Sequence, residues 1–263
     1  MIYRLIALDV DGTLLNDDHV LTPRVRESVR AAARSGAEIV LCTGRGSASA
    51  LSVLDELGLS GTMITHNGAS IVDSATRGVL FEQAIDHRLA QRYIDELRKR
   101  DLHFDMNTSF ELFVNQLDEQ ASRMYADMYV HPILRPIEDG LPKHTVKLSV
   151  YGPAADIDAV EDAWRNEEHE LQYIRSGIHF IDIQHSDAAK GKSLEKLAAI
   201  RGIPREQVLA IGNYYNDIGM LEFAGLGIAM DNSPDGVRAK ADDTALSNNE
   251  NGVAHVLERL ILA

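Results

Sequence analysis

The chain carries one cysteine, Cys42, among 263 residues. That excludes an intrachain disulfide framework and a cysteine-based zinc site. No run of about 18 apolar residues occurs, so no membrane span is expected. Low-complexity tracts and repeats at solenoid spacing are also missing. The apolar residues, 45% of the total, are spread along the whole length, which speaks for a packed core and against disorder. Positive charge is scarce: 26 Lys and Arg stand against 40 Asp and Glu, a formal net charge of −14. Such a chain repels nucleic acid and anionic membrane at long range, so neither is expected as a partner. A small phosphorylated molecule stays compatible, because a local cation can override the overall field. The ten histidines fall at no H-x-x-x-H or similar spacing and read as scattered core or surface residues. The opening MIYRLIALDVDGT is apolar for only a few residues before two aspartates, too short for a signal peptide, and a cytosolic location is expected.

Residues 2–8 read as a buried strand. Thr22-Pro23 is an N-cap followed by the residue favoured at the first helical position. Val25, Val29, Ala32 and Ala33 then mark a helical stripe that stops at Gly36. A strand over 37–42, a helix over 47–57 ending at Gly58 and a strand over 62–65 continue the alternation, which implies a parallel sheet with covering helices. The pattern then changes. A helix over 86–100 precedes strands near 103–107 and 111–115. A helix near 118–128, a proline-containing loop, a strand over 145–151, a helix over 154–168 and strands over 171–175 and 179–184 follow. Strand pairs joined by turns such as Ser176-Gly177 suggest an antiparallel α+β module. After His185 the βα alternation resumes, with helices over 192–201, 218–224, 234–240 and 253–261 and strands over 208–211 and 226–229. The predicted architecture is α/β: a discontinuous parallel-sheet core, residues 1–82 and 187–263, with an α+β insertion over 83–186.

Four segments could carry chemistry. Each is placed at the C-terminal end of a strand, where open α/β sheets bind ligands. The first is Asp9-Val10-Asp11-Gly12-Thr13. On an extended strand end, residues i and i+2 point the same way. Both carboxylates would then face one site and repel each other unless a cation such as Mg²⁺ lies between them. Gly12 allows a sharp turn. By average residue frequencies D-x-D-G-T should arise by chance in roughly 3 of 1,000 chains of this length. The second is Thr43-Gly44-Arg45, a hydroxyl and backbone N–H groups at a helix start that could seat an anion. Taken alone it is an ordinary capped turn. The third is Lys190-Gly191-Lys192, a possible point charge for a phosphoryl oxygen, alone no more than a solvated lysine. The fourth is Gly212-Asn213-Tyr214-Tyr215-Asn216-Asp217, in which Asp217 is a further candidate metal ligand. Order and placement together favour one shared site over four unrelated turns.

At this point the sequence resembles the haloacid dehalogenase-like hydrolase superfamily. D-V-D-G-T-L-L, T-G-R, K-G and G-N-x-x-N-D-I-G-M-L stand in the order of its four motifs. Thr65-His66-Asn67-Gly68-Ala69, Ala229-Met230-Asp231-Asn232-Ser233 and the stretch 248–252 are similar to the Cof-type phosphatases, whose large α+β cap the insertion resembles. The resemblance implies a Rossmann-like core and an Mg²⁺-dependent phosphatase of small phosphorylated metabolites. It makes Asp9 the nucleophile that forms an aspartyl-phosphate and Asp11 the general acid and base. Thr43, Gly44, Arg45, Asn67, Lys190 and Asn216 would hold phosphate or substrate, and Asp9, Asp11, Asn213 and Asp217 the metal. Asn213 departs from the pattern, which has aspartate there. Two other readings share the scaffold: a phosphotransferase or sugar-phosphate mutase, and a ligand-binding or regulatory protein weakened by Asn213. Keeping both Asp9 and Asp11 argues against the last, since binding alone needs no acid–base aspartate. The motifs do not select a substrate or an oligomeric state.

Overall fold

The computed structural model describes residues 3–127, 130–165 and 169–261. In chain order the elements are β1 (Leu5–Leu8), α1 (Pro23–Arg34), β2 (Glu38–Cys42), α2 (Ser47–Leu57), β3 (Thr62–Thr65), β4 (Ser70–Asp73) and β5 (Gly78–Glu82). Then come α3 (His87–Lys99), β6 (His103–Asn107), β7 (Leu112–Val114), α4 (Glu119–Asp127), β8 (Ile133–Leu134), β9 (Lys147–Tyr151), α5 (Ala154–Trp164), β10 (Leu171–Gly177) and β11 (Phe180–His185). The last part holds α6 (Lys190–Arg201), β12 (Val208–Gly212), α7 (Ile218–Phe223), β13 (Leu226–Ala229), α8 (Asp235–Arg238), β14 (Asp243–Thr244) and α9 (Gly252–Leu260). Among the described residues no helix is long and apolar enough to cross a membrane.

The chain divides into two compact units, residues 1–81 with 189–263, and residues 82–188. The first is built on an eight-stranded sheet in the order β14-β13-β12-β1-β2-β3-β4-β5. It is parallel from β14 to β3 and turns antiparallel between β3 and β4. β1 lies between β12 and β2, with Leu8 level with Ile211 on one side and Leu41 on the other. The chain runs outward from β1 in both directions, so the C-terminal ends of β12 and β1 flank the point where strand order reverses, the usual ligand crevice of such sheets. β1 is buried throughout, which is why it reads as a continuous apolar run and not an alternation. Leu5, Ala7, Val40, Ile64, Leu194, Leu197, Val208, Ala210 and Met220 share one core cluster. Burying each larger aliphatic side chain contributes about 1.5–3 kcal/mol.

Local signals explain the helices. The Thr22 hydroxyl accepts the Val25 N–H at 3.3 Å and Pro23 opens α1. α2 and α6 stop at Gly58 and Gly202, both left-handed, at φ 65° and 61°, where a side chain would be strained.

The second unit holds a six-stranded sheet, β10-β11-β9-β6-β7-β8, with antiparallel pairs except β7 with β8. One face, with Phe104, Met106, Leu148, Val150, Ile181 and Ile183, packs with Tyr93, Leu97, Ile157 and Trp164 from α3 and α5. The alternate residues Asp105, Asn107, Lys147, Ser149, Asp182 and Gln184 are polar and also buried. Asp182 accepts from Ser149 Oγ at 2.7 Å and Lys147 Nζ at 3.3 Å. Burial pushes the Asp105 carboxyl up to about 6.

The α/β architecture is as expected, and several boundaries differ. β4 and β5 were not anticipated: β4 is four residues long, and Val79 and Leu80 of β5 are exposed, so neither shows a two-residue alternation. The helix expected over 234–240 is the single turn α8. The two-residue strands β8 and β14 are too short for any pattern. The predicted ends at Ile2, Met128 and Glu168 lie outside the described residues.

Candidate active site

Four adjacent strands, β12, β1, β2 and β3, deliver the expected residues. Just beyond their C-terminal ends stand Asn213, Asp9, Thr43 and the turn at His66–Gly68. Lys190 opens α6 and is 2% exposed. Its Nζ donates to Asp9 Oδ1 at 2.7 Å and to Asp217 Oδ1 at 2.6 Å. Burial works against the ammonium, but Asp217 and Asp9 together outweigh it and hold Lys190 above the ordinary lysine range. Burial, then the neighbouring Asp217, pushes the Asp9 carboxyl up to about 7, against the pull of Lys190.

Asp217 also braces the loop ahead of it. Its Oδ2 accepts the backbone N–H groups of Asn213 and Tyr214, both at 2.9 Å. Both of its oxygens are therefore engaged. Asn213 lies over the Gly12–Thr13 turn, its Oδ1 accepting from Thr13 Oγ1 at 3.4 Å. Gly12 has φ 75°, a left-handed value that favours glycine, and a Cβ there would push the Asn213 amide aside from 2.3 Å.

On the other flank, the Thr43 hydroxyl accepts the Arg45 N–H at 3.0 Å. Asn67 donates its N–H to Thr43 O at 3.0 Å, and its Oδ1 accepts from Asn216 Nδ2 at 3.0 Å. A Cβ on Gly44 would meet that same Oδ1 at 2.8 Å. Thr43, Gly44, Asn67 and Asn216 thus form one group. Asn67 has φ 55°, a left-handed value that asparagine tolerates better than most residues.

Glycine packing places Lys190. A Cβ on Gly191 would lie 2.3 Å from the Gly219 backbone, and one on Gly68 would lie 2.3 Å from the Ala189 backbone. Ser193 Oγ donates to Gly68 O at 2.6 Å. These contacts let α6 approach α7 and the 66–68 turn closely. Sequence reading assigned no role to Gly68, Ser193 or Gly219, although Gly68 and Gly219 stand within the family-like stretches around Asn67 and Asp217.

Three sequence expectations are corrected. The strand ends at Leu8 and the chain turns at Val10, so the two-residue rule for extended backbone does not apply to Asp9 and Asp11. Asp9 is buried on Lys190, whereas Asp11, 46% exposed, binds Arg45. Lys190 follows no strand of the parallel sheet. It comes after β11, a strand of the other unit, and starts its helix two residues earlier than expected. Arg45, expected toward substrate, reaches Asp11 with Nε at 2.8 Å and Nη2 at 2.6 Å. Among the described residues no three His, Cys, Asp or Glu side chains converge as metal ligands.

The sequence profile of a family described as haloacid dehalogenase-like hydrolase matches residues 6–257. Bacillus subtilis YxeH is 34% identical over 280 residues, covering 99% of each chain. The 5-amino-6-(5-phospho-D-ribitylamino)uracil phosphatase YcsE of Bacillus subtilis is 30% identical over 263 residues, covering 98% of this chain and 96% of its own. A crystal structure of a haloacid dehalogenase-like hydrolase from Bacteroides thetaiotaomicron superposes with a TM-score of 0.86 at 27% identity, covering 98% of this chain and 100% of that one. With three motifs at the strand ends of one sheet, Lys190 reaching them from α6, and matches over nearly its whole length, the chain belongs to the haloacid dehalogenase-like hydrolase family, as an enzyme of its phosphatase kind.

Proposed function

We propose that the protein is a cytosolic, Mg²⁺-dependent phosphomonoesterase that acts on small phosphorylated metabolites through an aspartyl-phosphate. The observation that carries this reading is the buried Lys190 ammonium shared by Asp9 and Asp217 at the strand ends. A carboxylate is thereby held beside a fixed cation, which is what phosphoryl transfer asks of a protein.

An Asp9 oxygen attacks phosphorus, and the bond to the leaving oxygen breaks as Asp11 gives that oxygen its proton. Asp11 then takes a proton from water. The water oxygen attacks phosphorus, the Asp9–phosphorus bond breaks, and inorganic phosphate leaves. Lys190 spends two of its three N–H donors on Asp9 and Asp217, and the third is left for a phosphoryl oxygen. The Thr43 hydroxyl accepts from Arg45 and keeps its own proton to donate. Asn216 spends one N–H on Asn67 and keeps the other. Gly44 offers backbone close to where these donors gather.

The site suits Mg²⁺. Two buried carboxylates share one ammonium, an arrangement that a further cation would neutralise, and the carboxylate, carbonyl and amide groups beside it are hard oxygen ligands. The Asp9 carboxylate, the Asp11 carbonyl and the Asn213 amide oxygen would hold the ion, with Asp217 contributing its charge. When bound, Mg²⁺ would neutralise charge developing on the phosphoryl oxygens. Residues 83–186 are proposed as the substrate-selecting cap. The ribityl phosphate named for YcsE supports a phosphorylated sugar or polyol as substrate.

The test is phosphate release from 4-nitrophenyl phosphate and a panel of phosphorylated metabolites with Mg²⁺. Release into water, with none passed to a sugar acceptor, supports a phosphatase over a mutase. Full activity in Asp9→Asn overturns the mechanism.

A further inference from the structure

Two asparagines of the C-terminal stretch, Asn232 and Asn248, bind the turn that follows Asp11. Asn248 Nδ2 donates to Leu15 O at 3.1 Å and to Asp17 Oδ1 at 3.0 Å. Its backbone N–H goes to Asn232 Oδ1 at 3.1 Å. Asn232 Nδ2 in turn donates to Gly12 O at 2.9 Å. We infer that Asn232 and Asn248 are positioning residues for Asp11, fixing through the carbonyls of Gly12 and Leu15 the turn that presents its carboxyl. This rests on the reading of Asp11 as general acid and base.

Three observations carry the inference. Within the turn, Leu15 N–H reaches Val10 O at 3.0 Å and Thr13 N–H reaches it at 3.4 Å. Gly12, at φ 75°, sits next to Asp11 and is the residue type with most freedom to relax. Leu15 is bridge-paired with Asp11 itself, so a hold on Leu15 acts directly on the backbone that carries the carboxyl. Asn248 is also an expensive choice for its place. It is 3% exposed, and its Oδ1 is buried without a hydrogen-bond partner among the described residues. A leucine of similar size would carry no unpaired oxygen, but it would leave the carbonyl of Leu15 and Asp17 Oδ1 without their donor. What asparagine alone supplies there is the pair of donated hydrogen bonds. Asn232 is exposed, so packing does not account for it either.

Asp17 extends the hold. It exchanges bonds with Asn249, its N–H going to Oδ1 at 3.1 Å and its Oδ2 accepting from Nδ2 at 2.8 Å. The segment after the Asp11 turn is thus tied to residues 248–249 at several points.

A role in aiming a general acid has a signature that a role in stability lacks. Proton donation matters for a poor leaving group and little for a good one. The experiment measures kcat and KM of Asn232→Ala, Asn248→Leu and Asp11→Asn, at saturating Mg²⁺, on an alkyl phosphate and on 4-nitrophenyl phosphate, with melting temperatures alongside. Both asparagine variants should lose about 10- to 100-fold in kcat/KM on the alkyl ester and less than about threefold in kcat/KM on the aryl ester, because kcat/KM reports expulsion of the leaving oxygen and not the shared hydrolysis of the aspartyl-phosphate, in which Asp11 acts as base. Asn232→Ala should melt within about 2 °C of the parent, as expected for an exposed residue of a chain this size. It carries the test if Asn248→Leu does not fold. Equal losses of kcat/KM on both esters, or none, overturn the assignment. A leaving-group bias in Asp11→Asn but in neither asparagine variant overturns it while leaving the reading of Asp11 intact. No bias in Asp11→Asn overturns both.

Discussion

Arg45 grips Asp11 with two arms of its guanidinium, Nε to Oδ2 at 2.8 Å and Nη2 to Oδ1 at 2.6 Å. The third nitrogen, Nη1, donates to Ser49 Oγ at 3.3 Å. The general acid of the proposed reaction is therefore held by a side chain from the loop after β2, and not by its neighbour Asp9. A planar fork fixes direction as well as distance, which the point charge of lysine does not.

Arg45→Lys should accordingly lower kcat by about tenfold, because the carboxyl loses its orientation while the charge remains. The pair is partly exposed, at 24% for Arg45 and 46% for Asp11, so its loss should cost under about 1 kcal/mol of stability. Steady-state kinetics with a melting curve separates the two. A large fall in melting temperature with unchanged kcat would show the pair to be structural.

Asp9 gives a pH dependence with a defined sign. Its folded carboxyl stands at about 7 against an ordinary 3.8, so the fold binds a proton that the unfolded chain has released. The stabilisation is complete below about pH 4 and is lost as pH rises through 7. In EDTA the melting temperature should fall over that window and level off above it. Asp105, held at about 6, adds a slope of the same sign, so the Asp9 part is the difference between the parent and Asp9→Asn. Added Mg²⁺ should flatten that difference, because a cation favours the ionised carboxylate. An identical pH profile in the two proteins contradicts the placement of Asp9 in a buried site.

Asn213 predicts a weakened metal site. It stands where the family pattern has aspartate, and its neutral oxygen lies 3.4 Å from the Thr13 hydroxyl. Asn213→Asp should lower the half-saturating Mg²⁺ concentration several-fold, a net gain of about 1 kcal/mol once desolvation and repulsion from Asp9 are set against the added charge. Titration of activity with Mg²⁺ decides this. An unchanged midpoint means that Asn213 only orders the loop over Gly12.

Gly191→Ala should disturb Lys190 through backbone alone. The added Cβ would sit 2.3 Å from the Gly219 backbone, so α6 and α7 must move apart. A loss of roughly 2–4 kcal/mol is expected, together with reduced activity. Gly202→Ala is the comparison, because its added Cβ meets nothing within 4 Å and only the left-handed backbone is strained. Equal melting temperatures for the two variants would contradict the close helix contact.

The sequence by itself determined the strand and helix alternation of the core, because β1, β2 and β12 are short apolar runs ended by turn residues and α1 carries its own cap. Motif order and the family resemblance together named Asp9, Thr43, Lys190 and Asn216 as candidates. Tertiary structure alone decided who partners whom. Lys190 meets Asp9 across 181 positions, a pairing set by how α6 lies against the sheet. That in turn depends on Gly68, Gly191 and Gly219, where a missing side chain leaves no local trace. The same holds for Asp11. Local geometry placed it beyond a turn at Val10, and only the folded chain supplied Arg45 on one side and, through Gly12 and Leu15, Asn232 and Asn248 on the other. Periodicity records which face of an element is buried; it holds no record of what lies opposite.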